Sequence, residues 1–125
     1  MAANHKIDKS IKPANTFIGK DITLRVKKLS GQDSVRVDGR LVGDVELDGY
    51  LHVGKTGYVE GNLHCSYALI AGQVQGNILC RATTQLAAGA VVTGNITTER
   101  IIVDDGAILQ GVCKTREHIP QVEVV

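Results

Sequence analysis

Apolar residues in the middle of the chain come in short alternating runs, and each run is broken by a glycine. The pairs lie two residues before and two after that glycine: Leu41/Val45 around Gly43, Val59/Leu63 around Gly61, Val74/Ile78 around Gly76, Val92/Ile96 around Gly94 and Leu109/Cys113 around Gly111. Residues two or four apart lie on one face of a strand, so each pair points the same way. A second inward set follows at Leu47, Cys65, Cys80 and Thr98. A third follows at Leu51/Val53, Ala68/Ile70, Leu86/Ala88 and Ile101/Val103. Three short strands per turn with glycines at the bends predict stacked β coils. With ~4.8 Å of rise per coil, five to six turns make a rod roughly 25–30 Å long.

The glycines at 43, 61, 76, 94 and 111 are spaced 18, 15, 18 and 17 residues apart. The first two turns follow a period of six through Leu41, Leu47, Val53 and Val59, as in left-handed hexapeptide coils. Such coils accept inserted loops more readily than shortened turns, and the 15-residue step is a shortened turn. The expectation is therefore an all-β chain folded as a right-handed parallel β-helix over residues 16–114. A disordered basic tail is expected over 1–15 and a flexible one over 115–125. Asp44, Asn62, Asn77 and Asn95 follow the glycines and are expected to cap backbone groups at the bends.

Composition sharpens this picture. Hydrophobic residues make up 43% of the 125, yet there is one Phe and no Trp, so the core is built from small branched side chains that suit equal, narrow layers. Cys65, Cys80 and Cys113 are odd in number and lack metal-ligand spacing; they read as reduced thiols in a cytoplasmic protein. No secretory leader or membrane-spanning run is visible in the sequence. Charge is uneven. Residues 1–28 carry seven Lys/Arg against two Asp, and the remainder carries seven against eleven acidic residues.

Candidate chemistry is sparse. His64 and Cys65 are sequence neighbours on a strand, so they face opposite ways and do not share an ion; His52 and His64 are expected on the surface. Cys65 and Cys80 are expected to stack inside the coil. The acidic pairs Asp44/Glu46/Asp48 and Asp104/Asp105 read as solvated turn charges. No nucleophile–base pair, phosphate loop, cofactor fingerprint or metal site emerges, and no small-molecule substrate is expected. The basic arm with Lys6, Lys9 and Lys12 has the charge to attract anionic lipid, nucleic acid or an acidic partner weakly.

The chemistry is concentrated where the repeat stops. An inner coil satisfies its strand edges with neighbours above and below, whereas a terminal coil lacks one neighbour. The candidate contact residues are Phe17, Ile18, Ile22 and Leu24 at one end and Ile108, Leu109, Val112 and Cys113 at the other. The stretches Thr16-Phe-Ile-Gly19, Val35-Arg-Val-Asp-Gly39-Arg-Leu-Val-Gly43, Leu51-His-Val-Gly54, Gly57-Tyr-Val-Glu-Gly61-Asn and Asp105-Gly-Ala-Ile-Leu-Gln-Gly111 resemble the bactofilins, bacterial polymer-forming cytoskeletal proteins. The resemblance covers about 100 residues.

That resemblance implies a right-handed β-helix that polymerises with itself through its coil ends, without nucleotide, into non-polar filaments. It implies a place in the cytoskeleton, at the inner face of the cell membrane in some settings, with cell-wall enzymes or chromosome-segregation proteins as partners. The family often has a phenylalanine where this chain has Leu109, and Leu109→Arg is the natural probe of the end contact. The rival reading from the residues is a left-handed trimeric acyltransferase-like enzyme, for which His52 or His64 would have to sit at a subunit seam.

Overall fold

The computed structural model describes residues 16–115, and within them every regular element is a strand. In chain order these are β1 (Thr16–Ile18), β2 (Thr23–Gly31), β3 (Val35–Val37), β4 (Arg40–Leu47), β5 (Tyr50–Val53), β6 (Tyr58–Glu60) and β7 (Leu63–Ile70). There follow β8 (Gln73–Gln75), β9 (Ile78–Leu86), β10 (Val91–Thr93), β11 (Ile96–Thr98), β12 (Arg100–Val103), β13 (Ile108–Gln110) and β14 (Cys113–Thr115). All pairings are parallel and join equivalent segments of successive turns, which makes a β-solenoid.

The register traces three columns of inward side chains. One runs Leu24–Leu41–Val59–Val74–Val92–Leu109. A second runs Leu29–Val45–Leu63–Ile78–Ile96–Cys113. The third runs Ile18–Val37–Val53–Ile70–Leu86–Val103. Each column has six rungs, so the rod has six turns. The four middle rungs of every column are buried, and the layers are nearly equal in size because aliphatic residues fill all of them.

One inward position differs from the sequence expectation. The residues opposite Ala68/Ile70 and Ile101/Val103 are Thr84/Leu86, not Leu86/Ala88. Where β7 needs two steps from Cys65 to Tyr67, β9 needs three from Cys80 to Thr83. This extra residue at a corner lengthens the step from 15 to 16 residues, so the inward pair falls at Thr84 and Leu86. Thr84 is therefore fully buried, and its hydroxyl has no hydrogen-bond partner among the described residues. An apolar-periodicity argument passes over a buried threonine for that reason: its hydroxyl ordinarily needs a partner.

The glycine column explains the corner. Gly43, Gly61, Gly76, Gly94 and Gly111 all have φ between 140° and 154°. A Cβ on Gly76 would lie 1.9 Å from the carbonyl oxygen of Gly61 directly beneath it. The backbone of one turn thus rests on that of the last with no room for a side chain.

The Asx residues after these glycines act between turns and not within a bend. The Asn62 N–H donates to Asp44 Oδ1 (3.0 Å), Asn77 N–H to Asn62 Oδ1 (3.1 Å), Asn95 N–H to Asn77 Oδ1 (3.0 Å) and Val112 N–H to Asn95 Oδ1 (3.1 Å). Each side chain ties its turn to the next, and the ladder ends at Val112. Replacing Asn77 with Ala removes one rung and should lower unfolding free energy by about 1 kcal/mol, read from denaturant midpoints.

Candidate assembly surfaces at the rod ends

Along the flank, the strands leave little that resembles a reaction centre. His64 lies outside β7 while Cys65 lies inside it, as alternation requires. His52 faces outward on β5, 3.4 Å from the Arg36 guanidinium, in a groove shared with Lys20, Asp38, Lys55 and Thr56. Burial and the neighbouring Arg36 charge both lower its pKa, and Asp38 opposes them more weakly. The folded chain therefore holds fewer protons here than the unfolded chain just below pH 6.5. Stability should fall as pH drops through that range and level off below the depressed value. His52→Gln should flatten this part of a plot of melting temperature against pH.

Cys65 and Cys80 are register partners on β7 and β9, and both are fully buried. The hydrogen bond between the thiols raises the pKa of Cys65, reinforced by burial, and lowers that of Cys80. The single Cys80 S–H has two carbonyl acceptors within reach, Ser66 at 3.0 Å and Thr83 at 3.1 Å. Burial alone raises Cys113. All three are free thiols in the core. Among the described residues no cluster of three or more His, Cys, Asp or Glu side chains is arranged to hold a metal ion.

Among the described residues β1 and β2 are paired on one edge only, and so are β12, β13 and β14. These edges are the first and last turns of the rod. Of the eight large exposed apolar side chains among the described residues, five lie in those two turns: Phe17 and Ile22 in the first, Ile102, Ile108 and Val112 in the last. Phe17 is 60% exposed and Val112 45%, high values for side chains of this kind.

The structure sorts the candidate contact residues into two groups. Phe17, Ile22, Ile108 and Val112 are exposed and available to a partner. Ile18, Leu109 and Cys113 are buried in the core, and Leu24 is half-buried against it. Leu109→Arg therefore tests the last turn's packing as much as any contact, and Val112→Arg is the cleaner probe. Ile102 is a further exposed end residue that the sequence reading left out. It sits between the inward Ile101 and Val103, and strand alternation alone could have found it. Lys6, Lys9 and Lys12 lie outside the described residues.

A rod of stacked turns with apolar, edge-exposed ends is the pattern of one group of polymers. A family model described as "Bactofilin: Polymer-forming cytoskeletal" matches residues 16–114. The chain belongs to the bactofilin family. Among curated proteins it is similar to Bactofilin BacO of Myxococcus xanthus (strain DK1622), 34% identical over 98 residues that cover 78% of this chain and 77% of that one. It is also similar to Bactofilin BacP of the same strain, 31% identical over 111 residues that cover 89% of this chain and 46% of that longer protein. No solved structure gives a significant match.

As a bactofilin, the chain is a polymer-forming cytoskeletal protein. The matched region coincides with the six turns, ending one residue before the limit of β14. No helix among the described residues is long and apolar enough to cross a membrane.

Proposed function

We propose that this bactofilin assembles end to end without nucleotide into non-polar filaments that position envelope-associated or chromosome-organising partners. The observation that carries this reading is the concentration of exposed apolar side chains in the two turns whose strand edges are open. Joining two ends pairs the edges and buries Phe17 and Ile22, or Ile102, Ile108 and Val112, from water. Apolar burial yields about 25 cal/mol per Å², so a contact of this kind supplies its own driving force and calls for no nucleotide.

The corner supports joints between like ends. In every turn after the first a glycine rests on the carbonyl below, but the first turn has Val26 at that place, and β2 bulges between Arg25 and Lys28. The last turn offers Val112 where the ladder needs an Asn. A first turn seated on a last turn would therefore not reproduce the contacts between turns. Charge leans the other way, since residues 1–34 are basic and residues 100–125 are slightly acidic. Exposed charges of this sort contribute only about 0.2–1 kcal/mol each, which is less than a mismatched corner and a missing ladder rung cost together. Joints between like ends on a two-ended rod give an open filament without overall direction.

The test is electron microscopy of the purified protein with no nucleotide added. Filaments are expected; discrete trimers in sedimentation would favour the acyltransferase-like alternative. Recruitment of partners is tested separately, by whether a fluorescently labelled partner loses its cellular position when the end contacts are broken.

A further inference from the structure

The two ends differ in charge as well as in shape. The first turn carries Lys20, Arg25, Lys27 and Lys28 against Asp21 and Asp33, all exposed, a balance of +2, and Lys20, Arg25 and Lys27 are in no ion pair among the described residues. Lys28 is different: it lies 2.9 Å from Glu46 of the second turn, and its pKa is raised by that contact while that of Glu46 is lowered. In the sequence, residues 1–34 hold seven Lys/Arg against three Asp, whereas residues 100–125 hold three against four acidic residues. The last described turn is balanced, with Arg100 and Lys114 against Asp104 and Asp105.

From this difference we propose that the two joints of the filament are unequal: the C-terminal joint forms first, and the N-terminal joint is gated by ionic strength. The inference rests on the end-to-end reading above. When two like ends meet, the same patch is used on both sides, so an end with net charge faces a patch of the same sign. At the C-terminal end that charge is close to zero, and Ile102, Ile108 and Val112 can be buried without electrostatic opposition. At the N-terminal end a basic turn faces a second basic turn, so burial of Phe17 and Ile22 works against repulsion. The charges are solvent-exposed, so their repulsion is screened within about 10 Å at 0.1 M salt and about 3 Å at 1 M. The structural unit of assembly is then a pair of rods joined at their C-terminal ends, and added salt joins pairs into polymer. Two rods of six turns make a unit roughly 58 Å long.

Sedimentation velocity and pelleting of the full chain at 0.05 M and 0.5 M NaCl provide the test. Two-subunit particles are expected to be the main small species at 0.05 M, and the concentration needed for polymer should fall about fivefold at 0.5 M. The variant Lys20→Gln/Arg25→Gln/Lys27→Gln should polymerise at 0.05 M about as readily as the parent does at 0.5 M. Phe17→Arg should leave pairs, and Val112→Arg should leave single rods at low salt; circular dichroism and melting curves confirm that each variant is folded. Equal thresholds for the parent and the triple variant at both salt concentrations would overturn the proposal while leaving end-to-end assembly standing. Absence of polymer from the parent under every condition would overturn the end-to-end reading itself.

Discussion

Val112→Arg is expected to give a folded rod that no longer forms long filaments. Val112 is 45% exposed in the last turn, and its N–H is already bound by Asn95. An arginine there has room in the isolated rod, so the melting temperature should change little. In a joint between like ends the new guanidinium enters an apolar contact on both sides, where an unpaired charge is costly to desolvate. Polymer recovered by centrifugation should drop at least about tenfold, since 1.4 kcal/mol suffices for that and one buried unpaired charge exceeds it. Filaments as abundant and long as those of the parent would remove Val112 from the joint. Leu109→Arg is less informative because Leu109 is fully buried in the column above Val92. Its loss of filaments would come with a lower melting temperature.

Gly76→Ala should have the largest effect on the fold. The residue sits at φ 144° in the middle of the glycine column. Its new methyl would meet the carbonyl oxygen of Gly61 at 1.9 Å and the carbonyl carbon at 2.6 Å, both of them backbone atoms that cannot rotate aside. The turn must separate from its neighbour or change conformation, and either response breaks the adjacent Asn62–Asn77 rung as well. A loss of about 4 kcal/mol or more is expected, a large share of the stability of a domain this size. Gly89→Ala is the control: it also has positive φ, at 89°, but nothing lies within 4 Å of an added Cβ. That substitution should cost only the local conformational strain, about 1–2 kcal/mol. Similar melting temperatures for the two variants would refute the stacked-corner account.

Most of the architecture could be read from the chain because a solenoid repeats its instructions. Leu41, Val59, Val74 and Val92 stand at one phase relative to their glycines, and the register stacks them as that phase requires. What escaped notice lay where the repeat departs from itself. The extra corner residue before Thr83 moved a polar residue, Thr84, into the core, against the usual preference for apolar positions. The Asx ladder was legible as a set of residues, but the direction of its hydrogen bonds was not, since a side chain after a bend can serve either its own turn or the next.

The ends were only partly legible for a related reason. Ile18, Leu109 and Cys113 share the inward phase, so burial within their own coil claims them. Ile102 has the outward phase and joins the exposed set at the last turn. Apolar character alone does not separate these groups; strand alternation does. The charge asymmetry was visible in the sequence as a basic beginning, but its bearing on the ends depends on where the first turn ends and which lysine, Lys28, already has a partner.

Diffraction from oriented filaments tests whether the rods join end to end along one axis. A strong reflection is expected near ~4.8 Å along the filament axis, because the turns stack in that direction. An axial repeat of roughly 58 Å is also expected, from two six-turn rods related by like-end joints. A spacing of about 4.8 Å perpendicular to the filament axis would mean that the rods associate through their flanks and not their ends.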